Sequence, residues 1–239
     1  MLTLIINDAE YCLQYEILRD EKLIRFFECD SRKLSAEFLP RQLSEDCVKL
    51  GIQHRDFDRI AAVNGPGNFM GLRITSSFCS ALARCGNSEQ AGLDYMECLA
   101  YNCSSPDKVI HVLTKATRNA VHYAVFQCDP HGIPMRLRQT QLVSSKEELQ
   151  LVSLDDIFIG SGCGQLGVDG QPAENPLPAS LQQACEKARW GHADIVPVYV
   201  KLCDALQNFD AISEKQGLIP SESRSVLEET MQAKNIVRQ

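Results

Sequence analysis

The sequence predicts an α/β protein of two lobes, each a mixed sheet flanked by helices. Three observations predict it. Apolar, β-branched runs such as Leu2 to Ile6 and Val109 to Leu113 suit strands buried on both faces. Segments of helical spacing alternate with these runs. The order strand, Gly-Pro-Gly turn, helix around residues 60–85 makes half of an α/β unit. A meander of strands opens each half, so residues 106–205 read as a second, smaller lobe repeating the element order of residues 1–105. Residues 206–239 read as a polar tail, loosely docked.

In chain order, Leu2 to Ile6 is the first strand, broken by Asn7-Asp8-Ala9-Glu10. Tyr11 to Leu18 and Leu23 to Glu28 are the next two, joined by a polar hairpin at Arg19 to Lys22. Leu34, Phe38, Leu39, Leu43, Cys47 and Leu50 follow helical spacing, with Ser31 as cap and Gly51 as stop. Pro40 implies a kink there, or a later start. Ile60 to Val63 is a strand that ends at Asn64-Gly65-Pro66-Gly67, a strong turn signal. A helix is expected from Gly71, with Leu72, Phe78, Cys79, Leu82 and Cys85 near one stripe. Its small residues (Gly71, Thr75, Ser76, Ser77, Ser80, Ala81, Ala83) would admit a second helix at close range. Asn87 to Gly92 reads as a linker, and Leu93 to Asn102 as a short helix capped by Asp94. Val109–Leu113, Ala120–Cys128, Gln139–Val143 and Ile157–Gly160 are strands, with a helix starting at Ser144 to Leu149. Gly160 to Pro178 is a loop, and Ala179 to Trp190 a helix started by Pro178. Ile195 to Lys201 is extended.

Composition narrows the functional classes. A hydrophobic content of 44% fits a domain with a real core, and a net charge of −7 argues against direct nucleic-acid binding. Residues 1–8 are too short for a leader or a span, and no apolar run reaches the roughly 18–20 residues of a membrane helix. The eleven cysteines are odd in number and lack C-x-x-C spacing. Reduced, mostly buried thiols in a cytoplasmic protein are the expectation.

Catalytic constellations are sparse. The five histidines (54, 111, 122, 131 and 192) show no i, i+4 pair, so no metal site is expected. No Ser lies in a G-x-S-x-G elbow, and no catalytic residue is assigned. Asp8 follows the first strand where actin-like ATPases and sugar kinases place a metal-coordinating Asp. Here the hairpin lacks glycine, and Glu10 would repel a phosphate. Gly65-Pro66-Gly67 before a helix could cradle an anion with Arg73 nearby, yet no P-loop Lys-Ser/Thr follows. Gly160-Ser161-Gly162-Cys163-Gly164 could approach an adenosine. These features motivate the alternative of a small-molecule kinase or ATPase. No nucleotide or other cofactor is expected.

The block Gly65-Pro66-Gly67-Asn68-Phe69-Met70-Gly71-Leu72-Arg73-Ile74 resembles the GPGSFTGLRIG signature of the TsaB (YeaZ) family. Lys115-Ala116-Thr117-Arg118 with Val121-His122-Tyr123, and Pro197-Val198-Tyr199-Val200-Lys201, resemble two further family segments. Asn68, Met70, Thr75 and Asn7-Asp8-Ala9 depart from the usual pattern. The resemblance implies an actin-like ATPase (ribonuclease H-like) fold and a non-catalytic role beside TsaD, the catalytic subunit, and TsaE, an ATPase. Together these place threonylcarbamoyl on an adenosine next to the tRNA anticodon. It implies an interface on the helices flanking the signature, for TsaD or a second copy of the chain, with tRNA met only through the complex. The residues expected there are Gly65, Pro66, Gly67, Asn68, Phe69, Gly71, Leu72, Arg73, Thr75, Ser76, Phe78, Cys79 and Leu82. A wider kinship with glycoprotease-like proteins raises a peptidase reading, which the missing His-x-x-x-His opposes.

Overall fold

The computed structural model describes residues 1–10, 12–30, 35–150, 155–171, 173 and 175–200. The cap at Ser31, the helix position at Leu34 and the tail from 206 lie outside the described residues. Two five-stranded sheets form the molecule. The first has the order β3-β2-β1-β4-β5, from β1 (Leu2–Asn7), β2 (Cys12–Arg19), β3 (Lys22–Asp30), β4 (Arg59–Gly65) and β5 (Glu89–Asp94). β1 is antiparallel to β2 and parallel to β4. Being central, it is buried from Thr3 onward, as its unbroken apolar run requires. The second has the order β10-β6-β7-β8, from β6 (Val109–Thr117), β7 (Ala120–Cys128), β8 (Pro134–Arg136) and β10 (Ile157–Ile159), with β9 (Gln141–Val143) also on β7. β6 is antiparallel to β7 and parallel to β10. Thus β4-β1-β2-β3 and β10-β6-β7-β8 repeat one plan, a meander whose first strand takes a later parallel neighbour.

Helix α1 (Ser35–Leu50) begins before Pro40, which sits inside it. The carbonyl left unserved by the missing N–H is that of Ala36, an exposed first-turn residue. Its C-terminus closes as a Schellman motif. Gly51 takes φ +66° and donates to Val48 O at 3.2 Å, and Ile52 N–H reaches Cys47 O at 2.9 Å. Helix α2 (Phe69–Gly86) starts two residues before Gly71 because Asn68 caps it, accepting from Met70 N–H at 3.3 Å. Asn87 ends it in the left-handed region at φ 56°. Its buried stripe runs through Leu72, Thr75, Ser76, Cys79, Leu82 and Ala83. Cys85, expected near that stripe, is exposed. At 100° per residue it falls about 220° from Leu72, on the opposite face.

Three expectations are corrected. Residues 89–94 are a strand, not a linker: their polar, glycine-containing sequence carries no strand signal, and parallel pairing with β4 imposes the conformation. Residues 144–149 give only a 3₁₀ turn at Lys146–Glu148. Glu148 accepts from Ser144 and Ser145 N–H, and the chain then extends to bury Leu149 beside Val143. Helix α4 (Pro178–Glu186) ends before Trp190, whose ring instead lies under the Arg59 guanidinium, 4.9 Å away.

The largest core joins the two sheets. Ile5, Ala61 and Leu93 of the first meet Ile110, Ala124 and Phe126 of the second through α3 (Tyr95–Tyr101) and α4. Asp94 caps α3 as expected, accepting from Glu97 N–H at 3.0 Å. Among the described residues no helix is long and apolar enough to cross a membrane.

Candidate functional site

The signature is a junction of backbones. A Cβ on Gly65, whose φ is +134°, would lie 2.2 Å from Val198 O. On Gly67 it would meet Ala9 O at 2.4 Å, and on Gly71 Asp8 O at 2.2 Å. The Asn68 N–H donates to Ala9 O at 2.6 Å. Val198 N–H donates to Asn64 O at 2.7 Å, and the Asn64 amide donates to Val196 O at 2.9 Å. The three glycines therefore let the β1–β2 turn and the 196–198 segment close on β4 and α2. The Gly65–Pro66 peptide is cis.

Of the residues expected at a partner interface, Gly65, Pro66, Gly71, Leu72, Thr75, Ser76, Cys79 and Leu82 are buried within the chain itself. Gly67, Asn68, Phe69 and Phe78 are half-buried, and Arg73 is exposed. The small residues Gly71, Thr75, Ser76, Ser80 and Ala83 face inward. Thr75 donates to Gly71 O, and Ser80 accepts from Ile195 N–H at 3.2 Å. Spacing alone missed which small residues stay outside: Ser77 and Ala81 do. They line a groove of about 460 Å³ between α2 and residues 194–199, with Phe69, Arg73 and Tyr199. Phe69 packs on Tyr199 at 5.0 Å and lies under Arg73, while Arg84 pairs with Asp194 at the far end. A shallow hollow between Val48 of α1 and Cys85 of α2 continues this face, and Val48 is 77% exposed.

The glycine-bearing loop at 160–164 is closed against the second sheet and met by Glu10 of the β1–β2 turn. A Cβ on Gly160 (φ +116°) would meet Leu113 O at 2.2 Å, and one on Gly162 the Leu113 carbonyl carbon at 3.0 Å. The loop thus lies against β6. Glu10 Oε1 accepts from Ser161 Oγ at 2.7 Å and from Lys115 N–H at 3.1 Å. Burial pushes the Glu10 carboxyl up, and these donors pull it back.

A cavity of about 830 Å³ runs beside the β5 edge past Asp94, Glu97, Lys187 and Trp190. Its Asp94 is already committed to the α3 cap and to Arg136, at 2.7 Å. Among the described residues no three His, Cys, Asp or Glu side chains group as metal ligands. Burial pushes the Cys12, Cys103 and Cys185 thiols up to about 12, away from the reactive thiolate. His111 is a core residue: one ring nitrogen contacts Tyr123 Oη at 2.7 Å, the other Asp156 at 2.9 Å.

Residues 31–129 match the family model described as TsaD: tRNA N6-adenosine threonylcarbamoyltransferase. No curated protein matches the chain by sequence. Among solved structures it is similar to a Pseudomonas aeruginosa protein described as having similarity to peptidase YEAZ. There the TM-score is 0.71 at 16% identity, covering 84% of this chain and 99% of that one. YeaZ from the same organism gives 0.70 and 16%, covering 83% and 99%. The resemblance carried by Gly65 to Ile74 is thus borne out: the chain has the fold of YeaZ, the TsaB-type α/β architecture, and residues 31–129 carry the sequence pattern of the TsaD family.

Proposed function

We propose that this protein is a cytoplasmic, non-catalytic partner subunit in the formation of threonylcarbamoyladenosine beside the tRNA anticodon, and that it pairs with a TsaD-type catalytic subunit. The observation that carries the reading is the closure of the signature on its own chain. Gly65, Gly67 and Gly71 face Val198, Ala9 and Asp8 backbone, so these glycines serve close packing within the chain. What the signature helix offers outward is a face of Arg73, Ser77 and Ala81, continued by Val48. Short side chains there let a partner helix come close, and exposed apolar surface of this kind is the usual core of an interface. The TsaD description of the match supplies the reaction. At a net charge of −7 the basic surface for tRNA belongs to other subunits, and a TsaE-type ATPase completes the set. A second copy of the chain would compete for the same face. Against a kinase or ATPase stands the Glu10 carboxylate, which lies between the turns where phosphates would go.

The test is co-expression with the TsaD of the same organism, followed by size-exclusion chromatography with light scattering. The expected outcome is a heterodimer that Ala81→Trp and Ser77→Trp each weaken at least tenfold, without lowering the melting temperature. A heterodimer indifferent to both substitutions would remove this interface. A homodimer that ignores TsaD would remove the partner.

A further inference from the structure

The β1–β2 turn of the first sheet reaches the second sheet through the Glu10 side chain. Glu10 projects from that turn into the corner between the end of β6 and the loop after β10. Three donors converge on its carboxylate. Oε1 takes the Ser161 hydroxyl at 2.7 Å and the Lys115 backbone N–H at 3.1 Å, and the Tyr95 hydroxyl stands 3.4 Å from Oε2. The Lys115 N–H is shared, since Ser161 Oγ also accepts from it at 3.1 Å. The donors are fixed in advance of any ligand. Gly160 and Gly162 hold Ser161 against the Leu113 backbone, Lys115 sits on a paired strand, and Tyr95 is fully buried. A backbone N–H, a hydroxyl beside glycines and a nearby ammonium are what an oxyanion site is built from. Here the chain fills it with an anion of its own.

We propose that this corner is an anion site whose resident anion is the Glu10 carboxylate, which latches the two sheets together. Removing the side chain opens the site to a small free oxyanion. The inference is independent of the partner-subunit reading, because it concerns only contacts within the chain. The anion comes from the β1–β2 turn, and the donors come from β6, from the loop after β10 and from the start of α3. Burial raises the Glu10 carboxyl, and the Ser161 and Lys115 donors oppose that rise.

The test is the melting temperature of full-length Glu10→Ala with sodium acetate or inorganic phosphate, against sodium chloride at matched ionic strength. Glu10→Ala is expected to melt about 3–6 °C below the parent in chloride, the size of losing one charge-assisted cluster in a chain this long. Acetate should restore at least half of that loss, and phosphate should do so only if the opened space admits a tetrahedral ion. The parent should respond to neither, and Glu10→Ala combined with Ser161→Ala should lose the acetate response. An unchanged melting temperature in Glu10→Ala, or a drop that neither anion reverses, overturns the proposal. Should Glu10→Ala fail to fold, Ser161→Ala alone decides. It keeps the carboxylate but removes its shortest donor, and a melting temperature equal to the parent's rejects the cradle.

Discussion

Among single residues, glycines carry the most specific demands. The same residue type does opposite work at Gly71 and Gly164. A methyl group on Gly71 would overlap the Asp8 carbonyl oxygen at 2.2 Å, and that oxygen is backbone and cannot swing away. Gly71→Ala should therefore lose about 1–3 kcal/mol of stability, the usual cost of overpacking, whereas Gly164→Ala, with nothing within 4 Å, should stay within about 0.5 kcal/mol. Urea denaturation of the two variants checks both. The sequence already marks Gly65 to Gly71 as unusual, since no other turn so dense in glycine precedes a helical pattern. It does not reveal that the neighbours demanding those glycines are Val198, Ala9 and Asp8, which lie far away in the chain or out of register with the signature. Spacing finds a residue's own face and says nothing of what arrives opposite it. For that reason Thr75, Ser76 and Cys79, read as surface for a partner, turn out to be interior.

At the level of elements, local chemistry was a good guide where it was strong. Asp94 caps α3 and Gly51 stops α1 in the left-handed region, as the sequence predicts, whereas spacing missed the Asn68 cap that starts α2 two residues before Gly71. Gly51 is also open to test. Its φ of +66° suits glycine, and no atom lies within 4 Å of a added methyl group. Gly51→Ala should thus cost about 1 kcal/mol through backbone strain alone, as a shift of the urea midpoint with unchanged slope. A null result would mean that the Schellman hydrogen bonds from Gly51 and Ile52 tolerate a different closure. Where local chemistry was weak, the reading failed. β5 has the sequence Glu89-Gln90-Ala91-Gly92-Leu93-Asp94, without a β-branched residue, and it is a strand because β4 offers a ladder. The 144–149 segment shows the reverse. Its helix-start signal is real, but one turn satisfies it before Leu149 is drawn into the core.

Across the whole molecule, a polar seam fastens helix α4 to the first sheet. Asn7 donates to Gln14, Gln14 to Glu28 and to Pro176 O, and Gln182 of α4 to Glu16 at 2.7 Å. Glu16 is fully buried on β2, and its second carboxyl oxygen has no hydrogen-bond partner among the described residues. Burial raises its carboxyl to about 7, opposed only by Gln182. The sign follows directly. Below about pH 4.5 both folded and unfolded chains hold the proton, and Glu16 costs nothing. Between about pH 4.5 and 7 the unfolded chain has released the proton while the folded chain holds it, so stability falls across that window and levels off above it. Glu16→Gln should therefore gain about 2–3 kcal/mol at pH 8 and almost nothing at pH 4.5 in paired denaturation curves. Equal effects at both pH values would mean that Glu16 is ionised in the fold. The seam also bears on how the chain is made. Leu181, Ala184 and Cys185 of α4 complete a core begun by Ile5 and Ala61, so strands synthesised earlier keep part of an apolar face uncovered until a helix more than a hundred residues further along is made.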